Sequence, residues 1–121
     1  MSLSVYLRPK KEIKCDCGRV HYYVESEELF WKNITHNLSE MAEQAGVYAV
    51  VWHPEESGIN TANQLIEPLA AGLKRLESDP DGFRKYNPPN GWGRYEVLVD
   101  FVKKYLSACR EYPDADVSAY G

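Results

Sequence analysis

A basic surplus is missing: fourteen Lys and Arg stand against eighteen Asp and Glu, a formal net charge of -4. Proteins that live on phosphate backbones carry a basic excess or stripe, so nucleic acid is not expected as the main ligand. Long apolar runs are missing too. No stretch approaches the roughly 18 uninterrupted apolar residues of a membrane span. The N-terminal "MSLSVYLRPKKEIK" places its basic cluster after a short apolar run, the reverse of a secretory signal. A cytoplasmic protein with no membrane partner is expected. Cysteine is scarce, and the three present do not make a secreted disulfide framework; in a reducing compartment they remain thiols. The sequon Asn33-Ile34-Thr35 is then never glycosylated. Also missing are G-x-S-x-G, a Walker loop, a dinucleotide fingerprint and H-E-x-x-H, so no cofactor is expected and an enzyme reading has little to start from.

What is present suits a packed core. Hydrophobic residues make up 44%, with nine tyrosines and three tryptophans, and 121 residues are enough for one core and too few for two. A single domain over 1–121 is expected, with no repeat, low-complexity tract or linker.

Periodicity divides the chain. "LSVYLR" (3–8) alternates, with Leu3, Val5 and Leu7 on one face, and Pro9 ends the run. "EIKCDCGRVHYYVES" reads as a hairpin turning at Asp16-Cys17-Gly18. "ELFWKNI" (28–34) reads as another strand. Helical spacing follows in Ile34, Leu38, Met41, Ala42 and Ala45, with Gly46 at the C-terminal cap position. Thr61 and Gln64 form a capping-box pattern ahead of Leu65, Ile66, Leu69, Leu73 and Leu76, with Pro68 inside as a kink or a second start. A third helix is written by Tyr95, Leu98, Val99, Val102, Leu106 and Cys109, with Asp100 and Lys104 paired on the other side, and it should end before Pro113. "ADVSAY" (115–120) reads as a final edge strand. Residues 47–52 fit a strand or a short helix. The expectation is an α+β fold, a small antiparallel or mixed sheet covered on one face by three main helices.

Four constellations carry candidate chemistry. Cys15, Cys17 and His21, with Cys109 far away, are zinc-type ligands, but the set lacks the second cysteine pair of a structural site, and no metal is expected. Asn33, Thr35, His36 and Asn37 gather at a helix start, where Asn and Thr accept from orphan backbone N–H groups; Asn37 and Glu40 form a box-like pair. The same N–H groups beside His36 would suit a small polar or phosphate-bearing ligand. In "NPPNGWGRYE" (87–96), two prolines and Asn90-Gly91 present Trp92 from a constrained loop, either as a plug at the core edge or as a recognition anchor. In "WHPEES", His53 with Glu55 or Glu56 could act as an acid/base pair, or the two glutamates form a solvated turn.

These residues also carry a resemblance. "NITHNLSEMAEQAGVY", then "WHPEE", then "NGWGRYEVLVDFV" and "YLSACREYPDADV" resemble a family of small uncharacterised proteins of bacteriophage, prophage and bacterial genomes, over about residues 28 to 118. The resemblance implies a helix over 47–52. It also implies that the Cys-x-Cys hairpin is a less regular part of the pattern, and that the context is that of a phage-type accessory protein. It brings no established activity.

The leading expectation is non-catalytic binding of a small polar ligand or a host protein. In its sharper form, the two helix starts converge so that Asn33, Thr35, His36, Asn37, Asn90, Trp92 and Tyr95 line one pocket. The alternatives are a small hydrolase or transferase using His36 or His53 with Glu55 or Glu56, and a structural homo-oligomer whose Tyr-rich strands pair edge to edge.

Overall fold

The computed structural model describes residues 2–9, 29–89, 91 and 93–121. Three strands, β1 (Ser2–Arg8), β2 (Phe30–Thr35) and β3 (Asp116–Tyr120), form an antiparallel sheet in the order β2-β1-β3. The expected strand at 3–8 is therefore the centre of the sheet, and the expected C-terminal edge strand is its neighbour. The hairpin read at 12–24, with Cys15, Cys17 and His21, lies outside the described residues.

The two-residue period of β1 decides what each face of the sheet is made of. Leu3, Val5 and Leu7 are fully or almost fully buried. Their partners Ile34, Lys32 and Phe30 on β2, and Ala119 and Val117 on β3, share that side, because directly paired residues project together. Among the described residues, five α-helices supply the other layer: α1 (Ser39–Gln44), α2 (Tyr48–Trp52), α3 (Asn63–Ser78), α4 (Pro80–Arg84) and α5 (Tyr95–Glu111). The architecture is the expected α+β fold.

The first helix is shorter than its periodicity suggests. Ile34 belongs to β2, and a single 3-10 turn (His36–Leu38) separates the strand from α1. Its end follows expectation closely. Gly46 takes φ 79°, the amide of Val47 donates to Ala42 and that of Gly46 to Glu43, which is the left-handed closure that frees glycine favours. Of the 47–52 segment, Tyr48–Trp52 form helix α2, as the resemblance implies, with Val47 at its N-cap. Its branched residues Val47 and Val51 serve burial rather than strand pairing, and both are in the core together with Trp52.

Helix α3 runs unbroken through Pro68, so no second helix starts there. Half of the expected capping box forms. Gln64 Oε1 accepts from the amides of Asn60 (2.6 Å) and Thr61 (3.1 Å), whereas the Thr61 hydroxyl donates to Asn63 Oδ1. Mid-helix Gly72 marks a close approach, since a Cβ there would lie 2.1 Å from Val47 Cγ1. Helix α4 was not expected. Asp79-Pro80, read as a stop, is also a start: Asp79 Oδ1 accepts from the Gly82 amide, and Pro80 occupies the first helical position, where its missing N–H costs nothing. Helix α5 ends before Pro113 as expected, and Lys104 Nζ lies 3.1 Å from Asp100. Its buried face is wider than the predicted stripe, with Phe101, Tyr105 and Ala108 buried as well, because α5 packs against both β2 and α3. Among the described residues, no helix is long and apolar enough to cross a membrane.

Candidate functional site

Each polar residue of "NITHN" has a separate job. Asn33 lies on the sheet face away from the helices, where its amide donates to Ser2 Oγ (2.9 Å) and Ser4 Oγ (3.2 Å). It caps no helix. Thr35 does cap: in extended conformation (φ -70°, ψ 140°), its Oγ1 accepts from the Asn37 amide. The Asn37–Glu40 pair forms no box, because the residue at the cap position of α1 is Leu38. Asn37 itself is exposed.

His36 has a partner that periodicity could not reveal. Trp52 Nε1 donates to His36 Nδ1 at 2.9 Å. Indole is a donor only, so Nδ1 is the unprotonated nitrogen, and in the neutral ring the hydrogen sits on Nε2. Trp52 in turn stacks on Tyr48 at 5.2 Å, and the Tyr48 hydroxyl lies 3.4 Å from His53 Nε2. An aromatic row thus joins two histidines that the sequence offers as unrelated candidates. His53 Nδ1 lies 3.5 Å from Glu56, and one donor atom from each of His53, Glu55 and Glu56 falls within 4.8 Å of the others. Such a set can share a proton or approach a cation from solvent. His36 faces an indole and no carboxylate partner among the described residues.

The second motif approaches the first. A Cβ on Gly93 would lie 3.0 Å from Thr35 Cγ2 and 3.0 Å from Leu38 Cγ, so the loop before α5 runs directly against the turn that follows β2. The contact requires a residue without a side chain at φ 126°. Asn90 and Trp92 lie outside the described residues. Tyr95 turns the other way, into the helical layer. Its hydroxyl donates to the Leu76 carbonyl at 2.6 Å, its ring stacks on Phe83, and the Arg84 guanidinium lies 5.0 Å from the ring centre. Burial raises the Tyr95 hydroxyl above its ordinary pKa. Its amide donates to Asn87 Oδ1, which fixes the start of α5. The two polar segments therefore touch, while Asn33 and Tyr95 leave their junction in different directions.

Two surfaces escaped sequence reasoning. The first is the outer face of the sheet, where Trp31, Tyr6 and Tyr120 occupy three adjacent strands. Trp31 pairs directly with Tyr6, Tyr6 meets Tyr120 edge to face at 5.7 Å, and Arg8 lies over the Tyr6 ring at 4.5 Å. Trp31 is 51% exposed and Tyr120 58%. The signal was the complement of the alternation used to find the core, since Tyr6 and Arg8 fill the even positions of β1. The second is an open groove between α3 and α5, of about 410 Å³. Cys109 belongs to neither, being a buried thiol that burial pushes up to about 12.

No protein-family model matches the chain, and neither the curated proteins nor the solved structures yield a significant match.

Proposed function

We propose that this protein is a non-catalytic binding module, of the phage-type accessory kind its motifs resemble, that grips a partner protein through the outer face of its sheet. The observation that carries this reading is the Trp31, Tyr6 and Tyr120 patch, with Arg8 laid across it. Helices cover the other face, so these rings contribute nothing to the main core; Trp31 and Tyr120 keep large apolar area in contact with water, with Tyr6 half-buried between them. Trp, Tyr and Arg are the residues that dominate binding energy at protein interfaces, and Asn33 with Ser2, Ser4 and Ser118 supplies a polar rim. A flat face of this kind suits a protein better than a small molecule, which needs a concave site.

Trp31→Ala should weaken partner binding by about 2 kcal/mol or more, roughly 30-fold, as expected for a central aromatic anchor. The melting temperature should hardly move. Crosslinking in host lysate identifies the partner, and biolayer interferometry with the purified pair measures the loss. Unchanged affinity in Trp31→Ala and Tyr120→Ala would remove the outer face from consideration. A second reading, a small polar ligand held beside His36 and Asn37, draws on the contact between Gly93 and Thr35. It predicts the opposite dependence, with binding lost in His36→Ala and retained in Trp31→Ala.

A further inference from the structure

The groove between α3 and α5 has a composition of its own. Its floor is apolar: Leu106 of α5 is almost fully buried, and Leu73 and Ala70 of α3 are partly covered. These two residues lie beside the main buried stripe of α3, which is Leu65, Leu69, Gly72 and Leu76, so they face the groove instead of the centre of the core. The rim is cationic. Lys74 and Arg110 are exposed, and neither forms an ion pair among the described residues. The one carboxylate in the lining, Glu77, is held by Lys103 at 3.3 Å. Among the described residues, Lys74 and Arg110 are thus positive charges without an ion-pair partner beside a strip of apolar surface, in a chain whose net charge is -4. The other cations of α4 and α5 are matched, Arg84 by Asp81 and Glu96, Lys103 by Glu77 and Lys104 by Asp100, whereas Arg75, Lys85 and Arg94, away from the groove lining, form no ion pair among the described residues.

We infer that this groove docks an acidic amphipathic helix of a partner protein, with its leucine-type side chains on Leu73, Ala70 and Leu106 and its carboxylates on Lys74 and Arg110. The volume of about 410 Å³ accommodates a few side chains and not a folded domain. A helix laid in a groove presents apolar anchors at i and i+4 along one face with charges beside them, which matches an apolar floor with two cations at its edge. Charge complementarity decides between a neutral or basic segment and an acidic one. This site is distinct from the sheet face and stands or falls separately from the function proposed for that face.

The test uses the full chain, labelled with 15N, and three fluorescein-labelled peptides of equal length. One is an amphipathic Leu/Glu helix, one is the same helix with every Glu replaced by Lys, and one is an acidic scramble without the apolar face. The Leu/Glu helix alone should bind. Amide shifts should concentrate at residues 70–78 and 106–110, and affinity should fall severalfold between 50 and 200 mM salt. Lys74→Glu combined with Arg110→Glu should weaken binding at least tenfold while leaving the circular dichroism spectrum and melting temperature intact. Leu73→Asn, which keeps both cations, should weaken it as well. Binding of the Lys helix or the scramble with equal strength, shifts confined to the sheet, or no binding at 1 mM peptide would overturn the proposal. So would preferential binding to vesicles of anionic phospholipid, which would assign the groove to a membrane surface.

Discussion

Helix α5 carries two buried tyrosines ten positions apart, and they meet burial in opposite ways. The Tyr95 hydroxyl has a carbonyl to donate to, that of Leu76, and so ties the start of α5 to the end of α3. The Tyr105 hydroxyl is more deeply enclosed and has no hydrogen-bond partner among the described residues. Its ring compensates: it stacks on Phe30 at 5.6 Å with the planes 10° apart and takes the Phe101 ring edge-on at 5.7 Å. Tyr95 is therefore a polar strut, and Tyr105 is in effect a large apolar side chain carrying an oxygen. A tyrosine from the "NGWGRY" motif thus serves to position a helix, whereas Tyr105, which is in neither the predicted apolar stripe of α5 nor the candidate site, supports β2, the strand that bears Trp31.

Substitutions can break this comparison. Tyr105→Ala removes the ring and leaves a cavity beneath Phe30, and should cost about 3 to 5 kcal/mol, the usual range for a large aromatic in a core. Chemical denaturation would show it, and Trp31 fluorescence should change as β2 loosens. Tyr95→Phe keeps the ring but strands the Leu76 carbonyl, for about 1 to 3 kcal/mol. Tyr105→Phe should be the smallest effect, close to zero or slightly stabilising, because it removes a desolvated hydroxyl that makes no bond. If Tyr105→Phe were as costly as Tyr95→Phe, the hydroxyl of Tyr105 would have a partner after all and the contrast would fail.

Alkaline pH sharpens the same contrast. Burial raises the Tyr105 hydroxyl far above its ordinary 10.0, and it raises the Cys109 thiol from 9.0 to about 12. Both groups bind their protons more tightly in the folded chain than in the unfolded one. Their contribution to stability is complete below pH 9, begins to be lost as the unfolded thiol and then the unfolded phenol ionise, and continues to fall towards pH 12. Denaturation midpoints measured from pH 8 to 11 should decline. The decline should be shallower in Tyr105→Phe than in the parent. An identical slope in the two proteins would show that Tyr105 ionises freely in the folded state.

Much of the fold was legible because it rests on local periodicity. The alternation of β1, the left-handed stop at Gly46, the stripe of α5 and the tail strand are each written in a few neighbouring residues. The failures share a different cause. Asp79-Pro80 looks the same to a helix that is ending and to one that is beginning. Ile34 fits the helical period of α1, yet it fits equally well opposite Leu3, and the sheet claims it. For the candidate site, the capping role of Thr35 was readable, since the hydroxyl acts two residues away. The partners of His36, Asn33 and Tyr95 were not. These are Trp52, the serines of β1 and the Leu76 carbonyl, set by how elements pack and by no spacing along the chain. The approach of Gly93 to Thr35 is of the same kind.

The position of β1 at the centre of the sheet has a consequence for the order in which the molecule is assembled. Its bond to β3 joins residues as remote as Arg8 and Ser118, 110 positions apart. Closing so long a loop is entropically costly and slow relative to forming the helices between, whose backbone hydrogen bonds are local. During synthesis the apolar strand Leu3–Leu7 waits with one unpaired edge until the distant β3 segment has been made, and such an edge is the part of a nascent chain most prone to wrong pairing. The pairing of β1 with β3 is therefore the closure that spans the longest loop in the sheet, and the Trp31, Tyr6 and Tyr120 surface is complete only once that pairing has formed.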